Sequence, residues 1–174
     1  MVKNFALILL FVIGVLAFNS CYFNPFAPRL SEEGLDNNGN FDTRNLNGIF
    51  NALEFAYAVK DTGIYGQLLG ENFSFIYRDY ESGVDVVWAR DTEMFTTSGL
   101  FRNTEILDLR WNSIVFQAID TLSLNAQVVR SFRLRLAFSA SDVIEVTGNA
   151  NLSFTRRDST ESWKLLRWRD ESNF

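Results

Sequence analysis

Residues 52–80 read ALEFAYAVKDTGIYGQLLGENFSFIYRDY, a stretch in which a helical pattern gives way to a strand pattern. Upstream and within it, apolar residues recur at three- and four-residue spacing, which predicts one face of an amphipathic helix. These positions are Leu46, Ile49, Phe50, Leu53, Ala56 and Tyr57. Asp42 or Thr43 can cap this helix, which is expected to end near Lys60.

A second, shorter helix is predicted to begin at Asp61, whose side chain can cap it. Beyond it, Phe73, Phe75 and Tyr77 alternate with polar or smaller residues, which indicates a strand over residues 71–80. The short helix therefore leads directly into the first strand.

The remainder of the chain predicts mostly strands. A short apolar run at 84–88 is followed by a third helix, which opens at Asp91 or Thr92 and ends near Phe101. Long strand-like runs then cover residues 104–119, 124–139, 143–157 and 162–169. Gly148 and Asn149 lie inside the third of these runs and predict a bulge that lets a long strand bend. The order of elements favours an α+β fold.

Two segments resemble the nuclear transport factor 2-like family, whose fold is also used by ketosteroid isomerases and polyketide cyclases. They are residues 52–80, quoted above, and ANLSFTRRDSTESWKLLRWRDES at 150–172, which is similar to the family's closing hairpin. The resemblance covers roughly residues 43–172. It implies a cone-shaped, curved antiparallel sheet wrapped around about three N-terminal helices, with a pocket at one end of the cone. It also implies a possible homodimer through the sheet face.

The N-terminal segment 1–21, MVKNFALILLFVIGVLAFNSC, has the pattern of a secretory signal peptide. Lys3 provides the positive charge, and the apolar run is shorter than the ~20 residues of a membrane-spanning helix. Cys21 is the only cysteine and resembles the acylated cysteine of bacterial lipoproteins. Ser20 fits that signature, whereas Phe18 and Asn19 depart from it. The alternatives are an uncleaved anchor, plain secretion and a buried core thiol.

This pattern divides the chain into a signal peptide at 1–20, a lipidated cysteine and flexible tether at 21–42, and a domain at 43–174. The tether contains both prolines and a cluster of Asn, Asp and Gly, which is typical of a linker. A lipid-anchored protein of the bacterial cell envelope is expected, with the membrane as its partner. Because Tyr22 rather than Asp follows Cys21, the outer membrane is favoured.

Composition excludes several classes of function. The chain has 16 Lys and Arg against 21 Asp and Glu, so it is a poor candidate for a nucleic-acid binder. It has no histidine, which excludes Ser–His and Cys–His nucleophiles and imidazole metal ligands. Glycine-rich phosphate loops are also absent from the sequence. No cofactor and no metal are predicted.

Carboxylate chemistry remains available. The catalytic base of ketosteroid isomerases lies at the end of the first strand, and the resemblance puts Asp79 in that region. Arg78 and the Glu81–Gly83 turn beside it favour a solvated strand end, so Asp79 is a weak catalytic candidate. Tyr57 lies later than the tyrosine of that family, with Leu53 nearer its position. No aspartate is expected on an inward position of the later strands.

Aromatic residues suggest a ligand-lined pocket. The candidates are Tyr57, Tyr77, Trp88 and Trp111, although any single aromatic residue is more often part of a core or of a sheet surface. Arg135, on a middle strand, would indicate an anionic ligand if it pointed inward.

Three functions remain open. The first is a membrane-tethered, non-catalytic module that binds a small apolar ligand or a partner protein. The second is an isomerase, dehydratase or cyclase that uses a carboxylate. The third is a dimeric structural or assembly module.

Overall fold

The computed structural model describes residues 41–173. It contains three helices, α1 (Leu46–Val59), α2 (Thr62–Leu68) and α3 (Arg90–Asn103). The six strands are β1 (Leu69–Asp79), β2 (Val84–Ala89), β3 (Ile106–Ile119), β4 (Asn125–Ala137), β5 (Val143–Thr155) and β6 (Lys164–Asn173). The signal peptide, Cys21 and nearly all of the tether lie outside the described residues, so those assignments stay predictions.

The six strands form one curved, unclosed sheet in the order β2-β1-β6-β5-β4-β3. All neighbours are antiparallel except β1 and β6, which run parallel. The chain therefore places its last strand in the middle of the sheet, between its first strand and β5. Helix α1 packs against β3, and α3 packs against β1. The predicted α+β class, with three helices against a curved sheet, is confirmed.

Helices α1 and α2 each begin directly after a residue whose side chain caps the helix. At α2 the Asp61 side chain accepts hydrogen bonds from the backbone N–H groups of Gly63 (2.8 Å) and Ile64 (2.9 Å), as the sequence predicts. At α1 the cap is Asn45, whose Oδ1 accepts from Gly48 N at 2.6 Å. The expected caps, Asp42 and Thr43, were wrong because the turn before Asn45 takes up those residues and delays the helix.

The core lies between the helices and the inner face of the sheet. Phe50 of α1 packs edge-to-face on Trp111 and on Phe154, with ring centroids 5.1 and 5.7 Å apart. The guanidinium group of Arg130 lies over the Phe50 ring, with its carbon atom 4.6 Å from the ring centroid. Tyr65 and Leu165 are fully buried in the same core. Aromatic residues thus supply much of the packing between helices and sheet.

Gly148 has a different role from the one predicted. The pairing of β4 with β5 continues through Phe132–Gly148 without a shift, so no bulge forms there. A Cβ at Gly148 would fall on Ser172 Cα and 2.8 Å from the carbonyl oxygen of Glu171. Glycine is therefore required for the close approach of β6. Irregular pairing occurs instead in β3, between Trp111 and Ile114, and in β6.

The outer face of the sheet is polar along its central strands. Its exposed or half-exposed side chains include Gln127, Arg133, Glu145, Thr147, Ser153, Arg167 and Glu171. Five exposed apolar residues cluster at the far end of β3 and the turn after it: Ile114, Val115, Phe116, Ile119 and Leu122. Others lie on β2 and at the starts of β3 and β5: Val84, Val87, Ile106, Val143 and Ile144. Dimerisation through the sheet face stays a prediction, and the central strands offer little apolar surface for it.

Candidate functional site

A cavity of about 230 Å³ lies on the inner side of the sheet, between β1, β2 and β6. Its lining residues are Phe75, Tyr77, Arg78, Tyr80, Trp88, Asp170 and Ser172. The register explains why they meet. Phe75 pairs with Trp88 across the β1–β2 ladder and with Trp168 across the β1–β6 ladder, so the three side chains share one face.

Aromatic rings form the wall of this cavity. Phe75 and Trp88 stack with their centroids 4.8 Å apart and their planes 12° from parallel. Tyr77 is tilted by 54° to Trp88, with a centroid separation of 5.3 Å. Behind Phe75, Trp168 continues the aromatic layer at 6.0 Å. Alternate positions of β1 therefore supply two rings of the wall, and β2 supplies the third.

Asp170 is the acidic group of the cavity, and the sequence analysis missed it. Trp163 and Leu165 point inward at odd positions, and the pairing of β6 with β5 then shifts between Leu165 and Arg167. After this irregularity the even positions point inward, so Trp168 and Asp170 share the inner face. The expectation that no late-strand aspartate points inward was wrong, because unbroken alternation places Asp170 outside.

The environment of Asp170 favours its neutral form more than water does. Burial raises the pKa of its carboxyl group, while hydrogen bonds from Ser172 oppose that rise. Those bonds run from Ser172 N to Oδ1 at 2.9 Å and from Ser172 Oγ to Oδ2 at 3.1 Å. Each carboxyl oxygen retains capacity for one further bond. Asp170 can therefore accept a hydrogen bond from a ligand or form an ion pair with a positively charged one.

A second carboxyl group, that of Glu93 on α3, fixes the aromatic wall from behind. Glu93 is only 4% exposed. Its Oε1 accepts hydrogen bonds from Tyr65 Oη (2.6 Å) and Thr97 Oγ1 (2.9 Å), and its Oε2 accepts one from Trp88 Nε1 (2.6 Å). A carboxylate is an acceptor only, and here it meets three donors. The orientation of the Trp88 indole is therefore set by a buried hydrogen bond.

No sequence pattern predicts the hydrogen bonds that Glu93 accepts. Glu93 stands in the first turn of α3, beside Asp91, where acidic side chains normally face solvent and favour the helix dipole. Of its three donors, Thr97 lies one turn further along α3, whereas Tyr65 and Trp88 come from α2 and β2, which only the fold brings together. Burial and the neighbouring Glu93 raise the pKa of Tyr65 well above its ordinary value, so Tyr65 remains a donor.

The structure brings together two of the predicted ligand-lining residues, Tyr77 and Trp88, in one cavity. Tyr57 lies instead under the helices, edge-to-face with Tyr65 (5.7 Å) and Phe101 (5.3 Å), and burial raises its pKa. Trp111 is 8% exposed and packs 5.6 Å from Trp168.

Arg135 lies on the outer face of the sheet. It pairs with Asp108 of β3 and Glu145 of β5, in the alternating positions that face away from Leu134 and Leu136. Its side chain is therefore on the opposite side of the sheet from the cavity, beside carboxylates. An anionic ligand held by Arg135 would not share a site with Tyr77 and Trp88.

Asp79, the weak catalytic candidate, closes the turn between β1 and β2. Its Oδ1 accepts from Glu81 N (2.9 Å) and Ser82 N (3.3 Å), and its Oδ2 accepts from Ser82 Oγ (2.7 Å). These bonds hold the pKa of Asp79 below its ordinary value. Turn formation uses the acceptor capacity that a general base would need, and Asp170 has the better placement for acid–base chemistry.

Two larger depressions are more open to solvent. One, of about 560 Å³, lies beside the first turn of α3, between Glu71 and Asp91. The other, of about 410 Å³, lies between Arg44 and Ile119, against Trp163. The cavity at Asp170 is smaller, but it combines enclosure by aromatic rings with an inward carboxyl group. These are the features expected of a binding site.

Residues 41–173 lack both a cluster of metal-ligating side chains and a membrane-spanning helix. This part of the chain has no group of three or more Asp, Glu, His or Cys side chains arranged to hold an ion. Nor does it have a helix both long enough and apolar enough to cross a bilayer.

Comparison with solved structures places the fold. A candidate scytalone dehydratase from Novosphingobium aromaticivorans superposes with a TM-score of 0.60, at 13% identity, over 75% of this chain and 83% of that one. A candidate dehydratase of the nuclear transport factor 2-like family, from Streptomyces avermitilis, gives 0.58 at 13% identity, over 74% and 94%. A Rhodospirillum rubrum protein of that fold, described as of unknown function in nutrient uptake, gives 0.55 at 16%, over 75% and 99%.

These similarities define the class of structure to which the chain conforms. It has a nuclear transport factor 2-like fold, as the resemblance of residues 52–80 and 150–172 predicts. No protein-family model matches the chain, and no curated protein matches it. At 13–16% identity the structural likeness establishes the fold alone. Proteins of this fold include dehydratases as well as proteins without an assigned function, so function must be argued from the cavity.

Proposed function

We propose that this protein is a membrane-tethered binding module of the bacterial cell envelope, whose inner cavity holds a small, largely apolar molecule. The observation that carries the binding proposal is the cavity of Phe75, Tyr77 and Trp88 around the half-buried Asp170. Apolar walls provide affinity by burial, and a single polar group orients the ligand.

The buried network behind the wall supports a pre-formed site. Because Glu93 holds the Trp88 indole at 2.6 Å, less side-chain freedom is lost when a ligand packs against the ring. The stacking of Phe75 on Trp88 restricts the second ring in the same way. A site whose walls are already ordered binds more tightly than a flexible one of equal area.

Tethering is proposed from the sequence alone. The run MVKNFALILLFVIGVLAFNSC ends in the only cysteine of the chain, after a charged start and an apolar segment. An acyl chain on Cys21 would hold the protein at a membrane, and the proline-containing segment up to residue 42 would separate the domain from the headgroups.

A second candidate function is carboxylate-based isomerisation or dehydration. The observation that favours it is the inward, half-buried position of Asp170 in the cavity, where burial raises the pKa of its carboxyl group and makes it a better proton acceptor than an exposed aspartate. Asp170, rather than Asp79, would then be the proton-transferring group. The binding function needs fewer groups, because no second carboxyl group lines the cavity among the described residues, and the hydroxyl of Tyr77 or Tyr80 would have to serve as the oxyanion donor.

Mass spectrometry of the full chain, purified from the membranes of its own cells, tests both parts of the proposal. Denatured protein is expected to lack residues 1–20 and to carry acyl mass on Cys21, and Cys21→Ser is expected to lose that mass and membrane association. Under native conditions a small molecule is expected to remain bound, and Tyr77→Ala is expected to lose it. An unmodified Cys21 would refute the tether; equal retention by Tyr77→Ala would refute the site.

A further inference from the structure

We propose that the cavity recognises a small organic cation, a quaternary or protonated tertiary ammonium group, through its aromatic wall and the Asp170 carboxylate. This rests on the proposed function, because it names the ligand class of the same cavity. The ligand would still be largely apolar, because alkyl groups make up most of the surface around its charged nitrogen.

The first argument is the number of aromatic rings. Four of the seven lining residues are aromatic, and they come from β1, from the following turn and from β2. They are Phe75, Tyr77, Tyr80 and Trp88. An aromatic ring presents a negative face to a cation, and tryptophan gives the strongest attraction. Phe75 and Trp88 stack on each other, whereas Tyr77 is tilted by 54° to Trp88 and by 44° to Phe75, so the wall is not a single flat stack. Cages for alkylated ammonium groups have this character.

The second argument is charge. Among residues 41–173, Asp170 is the only acidic residue that lines the cavity, and its neighbour Ser172 is a neutral donor. Burial makes the charged carboxylate costly, and a cation beside it offsets that cost. A neutral apolar ligand would leave a carboxylate desolvated without a partner. The carboxyl group therefore favours a cation over an uncharged molecule of equal shape.

The one cationic residue of the lining is engaged elsewhere. Arg78 lies at an outward position of β1, where its Nη1 is 3.1 Å from Asp85 Oδ1. Asp85 also binds Arg169 Nη1 at 2.8 Å, and Arg169 lies near Glu171. Two arginines and two carboxylates are thus balanced on the outer face. On the inner face, Arg130 lies in the same cross-strand row as Asp170, with Ala150 of β5 between them, and its guanidinium group covers the Phe50 ring. Among the described residues, Asp170 forms no ion pair with a cationic side chain.

Size sets a limit on the ligand. A cavity of about 230 Å³ is below the ~300–1,000 Å³ of sites for drug-sized molecules. It suits a headgroup-sized ligand with few carbon atoms. Choline and its uncharged isostere 3,3-dimethylbutan-1-ol have almost the same shape and differ in the charge of the central atom, which makes them the appropriate probes.

Tryptophan fluorescence titration of the purified full chain in mild detergent tests the inference. Choline is expected to bind at least about tenfold more tightly than 3,3-dimethylbutan-1-ol, the order of one desolvated cation–π contact. Asp170→Asn is expected to weaken choline binding at least about tenfold and to leave the alcohol unchanged. Asp142→Asn, which removes one carboxylate from the exposed turn between β4 and β5, is the matched control and should bind choline like the wild type.

The outcomes separate this inference from the proposed function. Equal or tighter binding of the alcohol by the wild-type protein overturns the cation assignment and keeps an apolar site, and this comparison needs no variant. Choline binding that survives Asp170→Asn also overturns it. If neither probe binds while native mass spectrometry finds a retained uncharged molecule, only the cation assignment fails. If neither binds and nothing is retained, both proposals fail.

Discussion

Replacing Glu93 with alanine is expected to lower the free energy of unfolding by about 3 kcal/mol or more, the largest effect of any polar substitution in the domain. The change removes the acceptor of three hydrogen bonds and leaves Tyr65 Oη and Trp88 Nε1 without their partner. A buried donor that loses its partner costs roughly 1–3 kcal/mol. Urea unfolding followed by far-ultraviolet circular dichroism measures the change.

The same substitution is expected to release the Trp88 indole and so to weaken the near-ultraviolet dichroism of the aromatic wall. Glu93→Gln retains one acceptor oxygen and should show a smaller loss of stability. Glu71→Ala, at an exposed position of β1, is the control and is expected to change the unfolding free energy by less than ~0.5 kcal/mol. If Glu93→Ala behaves like this control, the network does not hold the wall.

Gly148→Ala is expected to destabilise the domain by about 3 kcal/mol, although it adds only one methyl group. The added Cβ would overlap Ser172 Cα and approach Glu171 O to 2.8 Å, and backbone atoms cannot rotate away as a side chain can. The strain falls on the part of β6 that carries Asp170, so ligand retention should also decline. Thermal unfolding and native mass spectrometry measure the two effects.

Gly99→Ala is the matched control for this prediction. Gly99 lies in α3, and a Cβ there would meet nothing within 4 Å. The same change in mid-helix should stabilise the protein by roughly 0.5–1 kcal/mol, because alanine loses less backbone freedom on folding than glycine does. Opposite signs for the two substitutions are expected. A neutral Gly148→Ala would mean that β6 does not approach β5 as closely as described.

Local sequence patterns predicted the helices and strands because strand alternation and helix capping depend on residues that are close together in the chain. The alternation of Phe73, Phe75 and Tyr77 gives β1, and the cap at Asp61 gives the start of α2. The strands and the third helix fall within a few residues of their predicted bounds. Likewise, Tyr77 and Trp88 were recognisable as candidates because aromatic residues on one face of a strand form a continuous surface.

The inward position of Asp170 and the burial of Glu93 are not visible in local sequence patterns. One irregularity near Leu166 reverses the face of every later residue in β6, and β6 extends beyond the predicted end at residue 169, so the inward position of Asp170 was not predicted. The buried position of Glu93 depends on donors that lie 28 residues before it in α2 and five residues before it in β2. Arg135 is placed outside because the inner positions of β4 are taken by Leu134 and Leu136. The positions of Asp170 and Glu93 depend on contacts between different elements, whereas the outward position of Arg135 follows from alternation within β4.

The central claim is that a small ligand binds against Trp88. The chain has four tryptophans, so four indole N–H signals are expected in an NMR spectrum of the nitrogen-15-labelled full chain. Titration with choline, and separately with 3,3-dimethylbutan-1-ol, is the most direct measurement. The Trp88 indole signal is expected to shift with at least one probe, whereas that of Trp163, which stacks under Arg156 at 4.2 Å, stays in place. An unmoved Trp88 signal, or a shift at Trp163 alone, would contradict the account.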